Sequence, residues 1–435
     1  MRSFFVICSL SILFAPALSH AEIPDALEKF VERPEPGFRW SNGETVAAKE
    51  GTIHSLHLVS QTWQNIVWEH ALTVYEPANI EHGKYMLLFV SGGNTGRNPS
   101  EKDHAFGLQL AKACEACVAV LNHVPNQPLL GDRKEDDLIT ETWLKYLETG
   151  DETWPLLFPM VKSAVKAMDA LEQFSAKHLK PPVEKFVISG ASKRGWTSWL
   201  TPVVDSRIVG TAPIVIDVLN FLPQMQNQKK TWGAYSEQIV DYTSKGLVKE
   251  SAELESPRDR QLRIMMDPFT YRSRLTLPKL LIVGTNDPYW VVDAMNLYWD
   301  DLSGPKYVLQ VPNGDHGLGD GRDHALNTLS IFFQHVVTST ALPAIDWKIE
   351  TSGKNWNIQI TSNSPLIQAN LWSTTAPKLD FRKSTWIKQP LVVNDKAASG
   401  QLSLPENGAH SAVFGELTYR YKDRPYSLTT LVYKK

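Results

Sequence analysis

Short apolar runs alternate with longer helical segments between residues 85 and 337. Each run has the length of a buried strand, and the segments between them repeat apolar side chains every three to four positions, as amphipathic helices do. Strands are predicted at 85–90, 117–124, 185–189, 209–216, 279–283 and 306–311. Helices are predicted at 106–113, 154–174, 193–203 and 325–337. This alternation predicts an α/β fold with a doubly wound, mostly parallel sheet.

Three other parts of the chain depart from this alternation. Segments 53–58 and 66–75 are rich in branched and aromatic residues and are predicted strands, preceded by a turn at Asn42-Gly43. The interval of about 218–275 is polar and mostly helical, which indicates a cap inserted into the domain of residues 22–342. Residues 343–435 hold seven short β-type runs separated by turn residues, so they predict a C-terminal all-β, sandwich-like domain without catalytic residues.

Composition narrows the class of partner. The 435 residues include 44 Lys and Arg against 47 Asp and Glu, a net charge of −3, and 43% are hydrophobic. A chain of this kind buries a large core, and its balanced charge does not favour nucleic-acid binding. We therefore expect a small-molecule or peptide substrate and no nucleic acid, and the sequence leaves the oligomeric state open.

The first 21 residues have the pattern of a secretory signal peptide. Arg2 supplies a short positive region, 4–18 is almost wholly apolar, and Ser19 and Ala21 are small residues placed for cleavage before Glu22. The apolar stretch is shorter than a membrane-spanning helix needs. We expect an exported protein, periplasmic or secreted, with no membrane span after cleavage.

A serine lies where a nucleophile would be exposed. Ser192 follows the apolar strand 185–189 and precedes a helix, within Gly190-Ala191-Ser192-Lys193-Arg194-Gly195. A sharp strand-to-helix turn projects a hydroxyl off the sheet, and small flanking residues let the backbone pass closely. The usual G-x-S-x-G pattern has its second glycine one position earlier, where this chain has Arg194.

The partners that such a serine needs follow later strands. His316 lies in a glycine-flanked loop after strand 306–311, and Asp287 follows strand 279–283. Histidine suits a general base near neutral pH, and a carboxylate can orient it. The order Ser, Asp, His at the carboxyl ends of strands is that of α/β-hydrolases. Asp217, which ends strand 209–216, is the alternative acid.

Two further groups are candidates for the same site. An oxyanion hole needs two donors, and the backbone N–H of Lys193 together with the Gly93-Asn94 turn after strand 85–90 is predicted to supply them. The acidic cluster that begins Glu135-Asp136 is interpreted as a loop, either solvated or facing the site to bind a cationic group such as a free amine.

Cysteine and metal chemistry are not predicted to contribute. Cys114 and Cys117 remain after cleavage and are expected to form a local disulfide or to stay as two buried thiols, because a redox pair normally opens a helix after a strand. The acidic residues and histidines around His316 show no recognised metal-ligand spacing, so the prediction includes no metal and no cofactor.

Several stretches together resemble the PhoPQ-activated pathogenicity-related family, and they span about 85 to 320. The resemblance implies an α/β-hydrolase-like domain, a cap, a β-rich C-terminal domain and export. It also implies that the Ser-Lys-Arg-Gly turn is a family trait. The matching stretches are Ser91-Gly92-Gly93, Val124-Pro125-Asn126-Gln127-Pro128-Leu129, 154–169, Gly190-Ala191-Ser192-Lys193-Arg194-Gly195-Trp196-Thr197, Ile216-Asp217-Val218-Leu219-Asn220, Asp267-Pro268-Phe269-Thr270-Tyr271 and Val311-Pro312-Asn313.

Two functions are consistent with these residues. The first is a serine hydrolase, carboxylesterase-like or peptidase-like, that cleaves an ester or peptide bond through an acyl-enzyme at Ser192. The second is a non-catalytic binding or signalling protein on an α/β-hydrolase scaffold, since fold does not determine function. The presence of Ser192, Asp287 and His316 together favours the enzyme.

Overall fold

The computed structural model describes residues 23–406 and 408–435, so the predicted signal peptide lies outside the described residues. The strands of the main sheet are β1 (Arg39–Ala48), β2 (Gly51–Trp63), β3 (Ile66–Pro77), β4 (Tyr85–Val90), β5 (Cys117–Leu121), β6 (Lys185–Ala191), β7 (Ile208–Ile214), β8 (Lys279–Gly284) and β9 (Lys306–Val311). Their spatial order is β1-β2-β3-β5-β4-β6-β7-β8-β9. From β5 to β9 every pairing is parallel, and the three pairings from β1 to β5 are antiparallel.

Helices cover both faces of this sheet. They are α1 (Ala26–Glu32), α2 (Glu101–Cys114), α3 (Glu135–Thr149), α4 (Leu157–His178), α5 (Lys193–Val204), α6 (Phe221–Trp232), α7 (Val240–Ser244), α8 (Pro257–Met266) and α9 (Arg322–Val337). Helices α1, α4 and α5 contact one another over one apolar core, and α2 packs against α9 over a second. Two cores on opposite faces confirm the doubly wound α/β-hydrolase architecture.

The interval predicted as a cap folds as short helices. It contains α6, α7 and α8, separated by turns. The cap packs on α3 through α7 and α8, on α5 through the contact of Phe221 with Trp196, and on the segment after β8 through α6. This arrangement places the cap above the carboxyl ends of the parallel strands, where α/β folds collect their functional groups.

The C-terminal residues form two antiparallel sheets. Their strands are β10 (Ile345–Ser352), β11 (Asn355–Ser362), β12 (Gln368–Ala376), β13 (Ile387–Pro390), β14 (Val392–Asn394), β15 (Ala397–Ser403), β16 (His410–Tyr421), β17 (Arg424–Thr429) and β18 (Tyr433–Lys434). One sheet has the order β10-β11-β15-β14, and the other has β13-β12-β16-β17 with β18 on β16. Inward side chains of both sheets share an apolar core, among them Ile358 and Leu371.

Two local predictions were wrong. Asn42-Gly43, interpreted as a turn, lies inside β1, where the register with β2 shifts between Asn42 and Thr45. Irregular points of strands use the same conformationally permissive residues as turns, so an Asn-Gly pair does not distinguish the two. The acidic cluster interpreted as a loop is the first turn of α3, where carboxylates are favoured by the helix dipole.

Among the described residues, no helix is both long and apolar enough to cross a membrane.

Candidate active site

The turn at Ser192 has the strained backbone that an exposed nucleophile requires. Ser192 adopts φ 58° and ψ −125° between the end of β6 and the start of α5, and its N–H donates to the carbonyl of Ile214 at 2.9 Å. A Cβ added at Gly195 would lie 2.5 Å from Ile216 and 2.9 Å from the Gly190 carbonyl, so only glycine fits there. The second glycine of the turn is therefore required one position later than in the usual pattern.

The structure brings Ser192, His316 and Asp287 together. His316 Nε2 lies 2.9 Å from Ser192 Oγ, and His316 Nδ1 lies 2.8 Å from Asp287 Oδ2. The histidine follows β9, and the aspartate follows β8. Asp287 is buried and also accepts the N–H of Tyr289 at 2.9 Å, which fixes its orientation. This chain of hydrogen bonds has the geometry of a nucleophile, a base and the acid that orients the base.

Asp217, the alternative acid, has a different partner. It is buried and accepts a hydrogen bond from the Tyr298 hydroxyl at 2.5 Å. Burial raises its pKa to about 7, whereas the hydrogen bond from Tyr298 acts in the opposite direction. Among the described residues, Asp287 is the carboxylate that hydrogen-bonds His316, so the geometry favours Asp287 over Asp217.

Arg194 is a structural residue of the turn that the sequence did not identify. Its side chain is buried and makes two hydrogen bonds of 2.7 Å to the carboxylate of Glu135. A Cβ at Gly92 would lie 2.3 Å from the Arg194 guanidinium, so this glycine makes room for the arginine. Burial opposes ionisation of Glu135, but the bound guanidinium outweighs it and holds the pKa of that carboxyl below its usual value.

Asp136 and Lys193 form a second ion pair directly beside Ser192. Lys193 Nζ lies 2.6 Å from Asp136 Oδ2, and both side chains are largely buried. The carboxylate also accepts hydrogen bonds from the hydroxyls of Tyr242 at 3.0 Å and Tyr289 at 3.3 Å. Burial and the neighbouring carboxylate raise the pKa of both phenols, so they remain protonated donors.

Of the two interpretations of this acidic cluster, these pairings argue against the one in which Glu135 and Asp136 bind a cationic group of the substrate. Each carboxylate already has a cation of this chain within 2.7 Å, either Arg194 or Lys193. A substrate amine would have to displace a buried, hydrogen-bonded partner, which costs several kcal/mol. The two carboxylates instead hold the residues that follow Ser192.

The predicted oxyanion donors lie at the neighbouring strand ends. Lys193 is the first residue of α5, whose N–H has no partner within the helix. The Gly93-Asn94 turn follows β4, which pairs with β6 so that Val90 faces Gly190. Both donors are therefore at the correct edge of the sheet, and their role in binding an oxyanion stays a prediction.

A cavity opens between Ser192 and the cap. It holds about 1020 Å³, counting its opening to solvent, and it includes Ser192, Lys193 and His316. Its other walls are mainly apolar and come from α3, α5, the end of β7, the cap and the loop after β8. They include Trp143, Trp196, Ile216, Val218, Phe221, Leu222, Met225, Ile239, Tyr242, Leu247, Leu262 and Trp290. A mostly apolar cleft with a few polar groups is typical of a small-molecule site.

The C-terminal domain holds the loops that carry the acid and the base. Asn286 Nδ2, beside Asp287, donates to the carbonyls of segment 381–384 at 3.4, 3.2 and 2.7 Å. The amide of Asn313 in the base loop donates to the Trp386 carbonyl at 3.1 Å and accepts the Trp386 N–H at 2.7 Å. Nothing in the sequence marks this role, because asparagines after strands are also common turn residues.

Replacing Asn313 by alanine is expected to lower kcat about 10- to 100-fold with little change in KM, because a displaced base loop misplaces His316 and small misplacements of a catalytic group are costly. Steady-state kinetics on an ester substrate measure both constants. Asn327 is a matched control, since its amide also binds the C-terminal domain, at the Pro425 carbonyl, but from α9. Equal kcat values for Asn313→Ala and Asn327→Ala would contradict the positioning role.

Cys114 and Cys117 are buried free thiols in the structure. Cys114 ends α2 and Cys117 begins β5, and the two side chains belong to different apolar cores. Burial raises the pKa of Cys117 to about 12 and raises that of Cys114 as well. A thiol that stays protonated is a poor nucleophile, so neither cysteine is suited to redox chemistry.

One group of metal-type side chains occurs among the described residues, at Glu81, His82 and Glu115. Lys422 pairs with both of its carboxylates, with Nζ 3.2 Å from Glu81 and 2.5 Å from Glu115. The cluster joins the C-terminal domain to the turns that precede β4 and β5. Its carboxylates therefore form ion pairs within the fold.

The chain is similar to several known proteins. The chain is 31% identical over 358 residues to the autocrine proliferation repressor protein A of Dictyostelium discoideum, covering 79% of this chain and 71% of that protein. Among solved structures, acetyl xylan esterase 1 from Thermoanaerobacterium aligns with TM-score 0.48 and 13% identity over 72% of this chain and 94% of its own. A glucuronoyl esterase from Solibacter usitatus aligns with TM-score 0.47 and 11% identity over 71% and 91%.

The family comparison covers most of the chain. Residues 27–382 match the family described as PhoPQ-activated pathogenicity-related protein. This range contains the whole main sheet, the cap, Ser192, Asp287 and His316. The resemblance stated from sequence motifs is confirmed, and the chain belongs to the PhoPQ-activated pathogenicity-related protein family.

Proposed function

We propose that this chain is an exported serine hydrolase that cleaves an ester or peptide bond through an acyl-enzyme at Ser192. The observation that supports it most is the continuous chain of hydrogen bonds, 2.9 Å from Ser192 to His316 and 2.8 Å from His316 to Asp287. A hydroxyl is a weak nucleophile at neutral pH and needs a base within hydrogen-bond reach. Export is proposed from the pattern of residues 1–21, and a mature N-terminus at Glu22 is its expected result.

The proposed first step is acylation. Ser192 Oγ attacks the scissile carbonyl carbon while His316 Nε2 accepts the hydroxyl proton, and Asp287 holds the imidazole with its Nδ1–H directed at the carboxylate. The carbon–heteroatom bond then breaks, and His316 returns the proton to the leaving alcohol or amine. An acyl group remains on Ser192.

The proposed second step releases the acid. A water molecule takes the place of the leaving group, His316 accepts its proton, and the hydroxide attacks the acyl carbon. Collapse of the tetrahedral intermediate breaks the bond to Ser192 Oγ, which regains its proton from His316. In both steps the N–H groups of Lys193 and of the Gly93-Asn94 turn are the proposed oxyanion donors.

The test is covalent labelling by a fluorophosphonate, which reacts with an activated serine. We expect stoichiometric labelling of the wild-type protein, with the modified peptide containing Ser192, and no labelling of Ser192→Ala. Ser198→Ala is the matched control and is expected to label like the wild type. Ser198 lies six residues after Ser192, in α5, and its hydroxyl already donates to the Arg194 carbonyl at 2.8 Å. A folded wild-type protein that does not label would favour the non-catalytic scaffold instead.

A further inference from the structure

The cavity beside Ser192 has a rigid aromatic wall. Trp143 of α3 packs edge-on against Trp196 of α5 with ring centroids 6.1 Å apart, and Trp196 packs in the same way against Phe221 of α6 at 5.6 Å. Tyr242 of α7 completes the row at 5.3 Å from Trp143. The indole N–H of Trp196 donates to the Met266 carbonyl at 2.7 Å, which fixes that ring. Four helices therefore contribute rings to one preformed surface.

The charged side chains of the cavity are paired with one another. Three are positive and three are negative. The pairs are Lys193 with Asp136 at 2.6 Å, Arg263 with Glu255 at 2.6 Å and Lys249 with Asp259 at 3.7 Å. Among the described residues that line the cavity, none of these six offers an uncompensated charge to a ligand. A charged substrate group would lose its hydration there without gaining a counter-ion.

The aromatic row and Ser192 line the same cavity. Trp196 lies in the first turn of α5, four residues after Ser192, and Ile216 and Val218 extend the wall from the end of β7. A substrate whose carbonyl reaches Ser192 Oγ must place one of its adjoining groups against this wall. Burial of apolar surface is favourable in proportion to the area removed from water.

We infer that the substrate of this site carries a bulky, uncharged apolar group next to its scissile carbonyl, and that the aromatic row of Trp143, Trp196, Phe221 and Tyr242 binds it. This inference rests on the proposed function, because it concerns the same Ser192. The inference also extends the proposed function to a substrate class, since a hydrolase of small acetyl groups or of charged substrates would not need this wall.

The test uses two series of esters. In p-nitrophenyl esters the acyl chain grows from acetate to octanoate, and in alkyl acetates the alcohol chain grows over the same lengths. We expect kcat/KM to rise about fourfold per methylene group in one of the two series, until the cavity is filled. A profile that is flat or falling in both series would overturn the inference.

A variant of the wall adds a second measurement. Phe221→Ala removes a ring from the row and is expected to reduce the preference for long over short chains on the order of tenfold. Leu254→Ala is the control, because Leu254 also belongs to the cap but is exposed and lies outside the cavity wall. Equal chain-length profiles for the two variants would contradict the inference that the aromatic row binds the substrate.

Labelling by the fluorophosphonate separates the two proposals. If the wild-type protein labels at Ser192 but shows no chain-length preference, the proposed hydrolase function stands and the inference of an apolar substrate group is rejected. If the folded wild-type protein does not label, the proposed function itself is rejected. Retained labelling of Phe221→Ala shows that this variant is folded, so its kinetic profile is interpretable.

Discussion

Ser192→Ala, His316→Ala and the double variant are each expected to lower kcat about 10⁶-fold on an ester substrate, to a common floor. Nucleophile and base act as one unit, because the hydroxyl attacks only when the imidazole 2.9 Å away accepts its proton. Once either member is absent, removal of the other has no further interaction to destroy. The expected result is therefore strong non-additivity.

Steady-state kinetics of the three variants and the wild type measure this effect. Ser198→Ala is the matched control, because it removes a buried hydroxyl of α5 that is bonded within the helix. We expect it to keep kcat within about threefold of the wild type, since no group of the reaction is changed. Two single losses that multiplied in the double variant would show that Ser192 and His316 act separately and would contradict the proposed mechanism.

Much of this site could be predicted from the sequence because its residues follow strands. Apolar runs at β4, β6, β8 and β9 mark the sheet, and the carboxyl ends of parallel strands converge at one edge. Ser192, Asp287 and His316 each come shortly after such a run, so local pattern was sufficient to bring them together. The departure at Arg194 did not affect the prediction, since the required glycine is Gly195.

The residues that support the site could not be predicted in this way. Glu135 and Arg194 are 59 positions apart, and Asn286 and Ser384 are 98 apart. A contact between distant segments leaves no periodic signal in either of them. The acidic cluster at Glu135 was accordingly interpreted as a loop, either solvated or binding a cationic group of the substrate, because its partner Arg194 could not be identified from the sequence.

The C-terminal domain illustrates the same limit. Its strands follow from alternation and turn residues, whereas its function at the site comes from backbone groups of 381–386. Backbone carbonyls and N–H groups are present at every position, so no residue type marks the ones that bind Asn286 and Asn313. The domain is thus part of the support of the triad, although none of the triad residues lies in it.

Replacement of Asp287, the acid that orients His316, is expected to have the second large effect on catalysis. Asp287→Asn is expected to lower kcat about 10⁴-fold near neutral pH, because an amide at this position no longer stabilises the imidazolium and favours the wrong tautomer of His316. The Asn carbonyl can still accept the N–H of Tyr289, which Asp287 now binds at 2.9 Å, so we expect the loop to keep its shape. The loss therefore measures the electrostatic role of the carboxylate.

Asp217→Asn is the matched control for that loss, because Asp217 is also buried but hydrogen-bonds Tyr298 at 2.5 Å. Burial already raises the pKa of Asp217 to about 7, so a neutral amide resembles a state that the carboxyl group populates near neutral pH. We expect kcat of Asp217→Asn to fall less than about tenfold, since its contact with Tyr298 can be kept by the Asn carbonyl. If Asp217→Asn instead lost as much as Asp287→Asn, or if Asp287→Asn lost little, the orienting acid would have to be reassigned despite the 2.8 Å contact with His316.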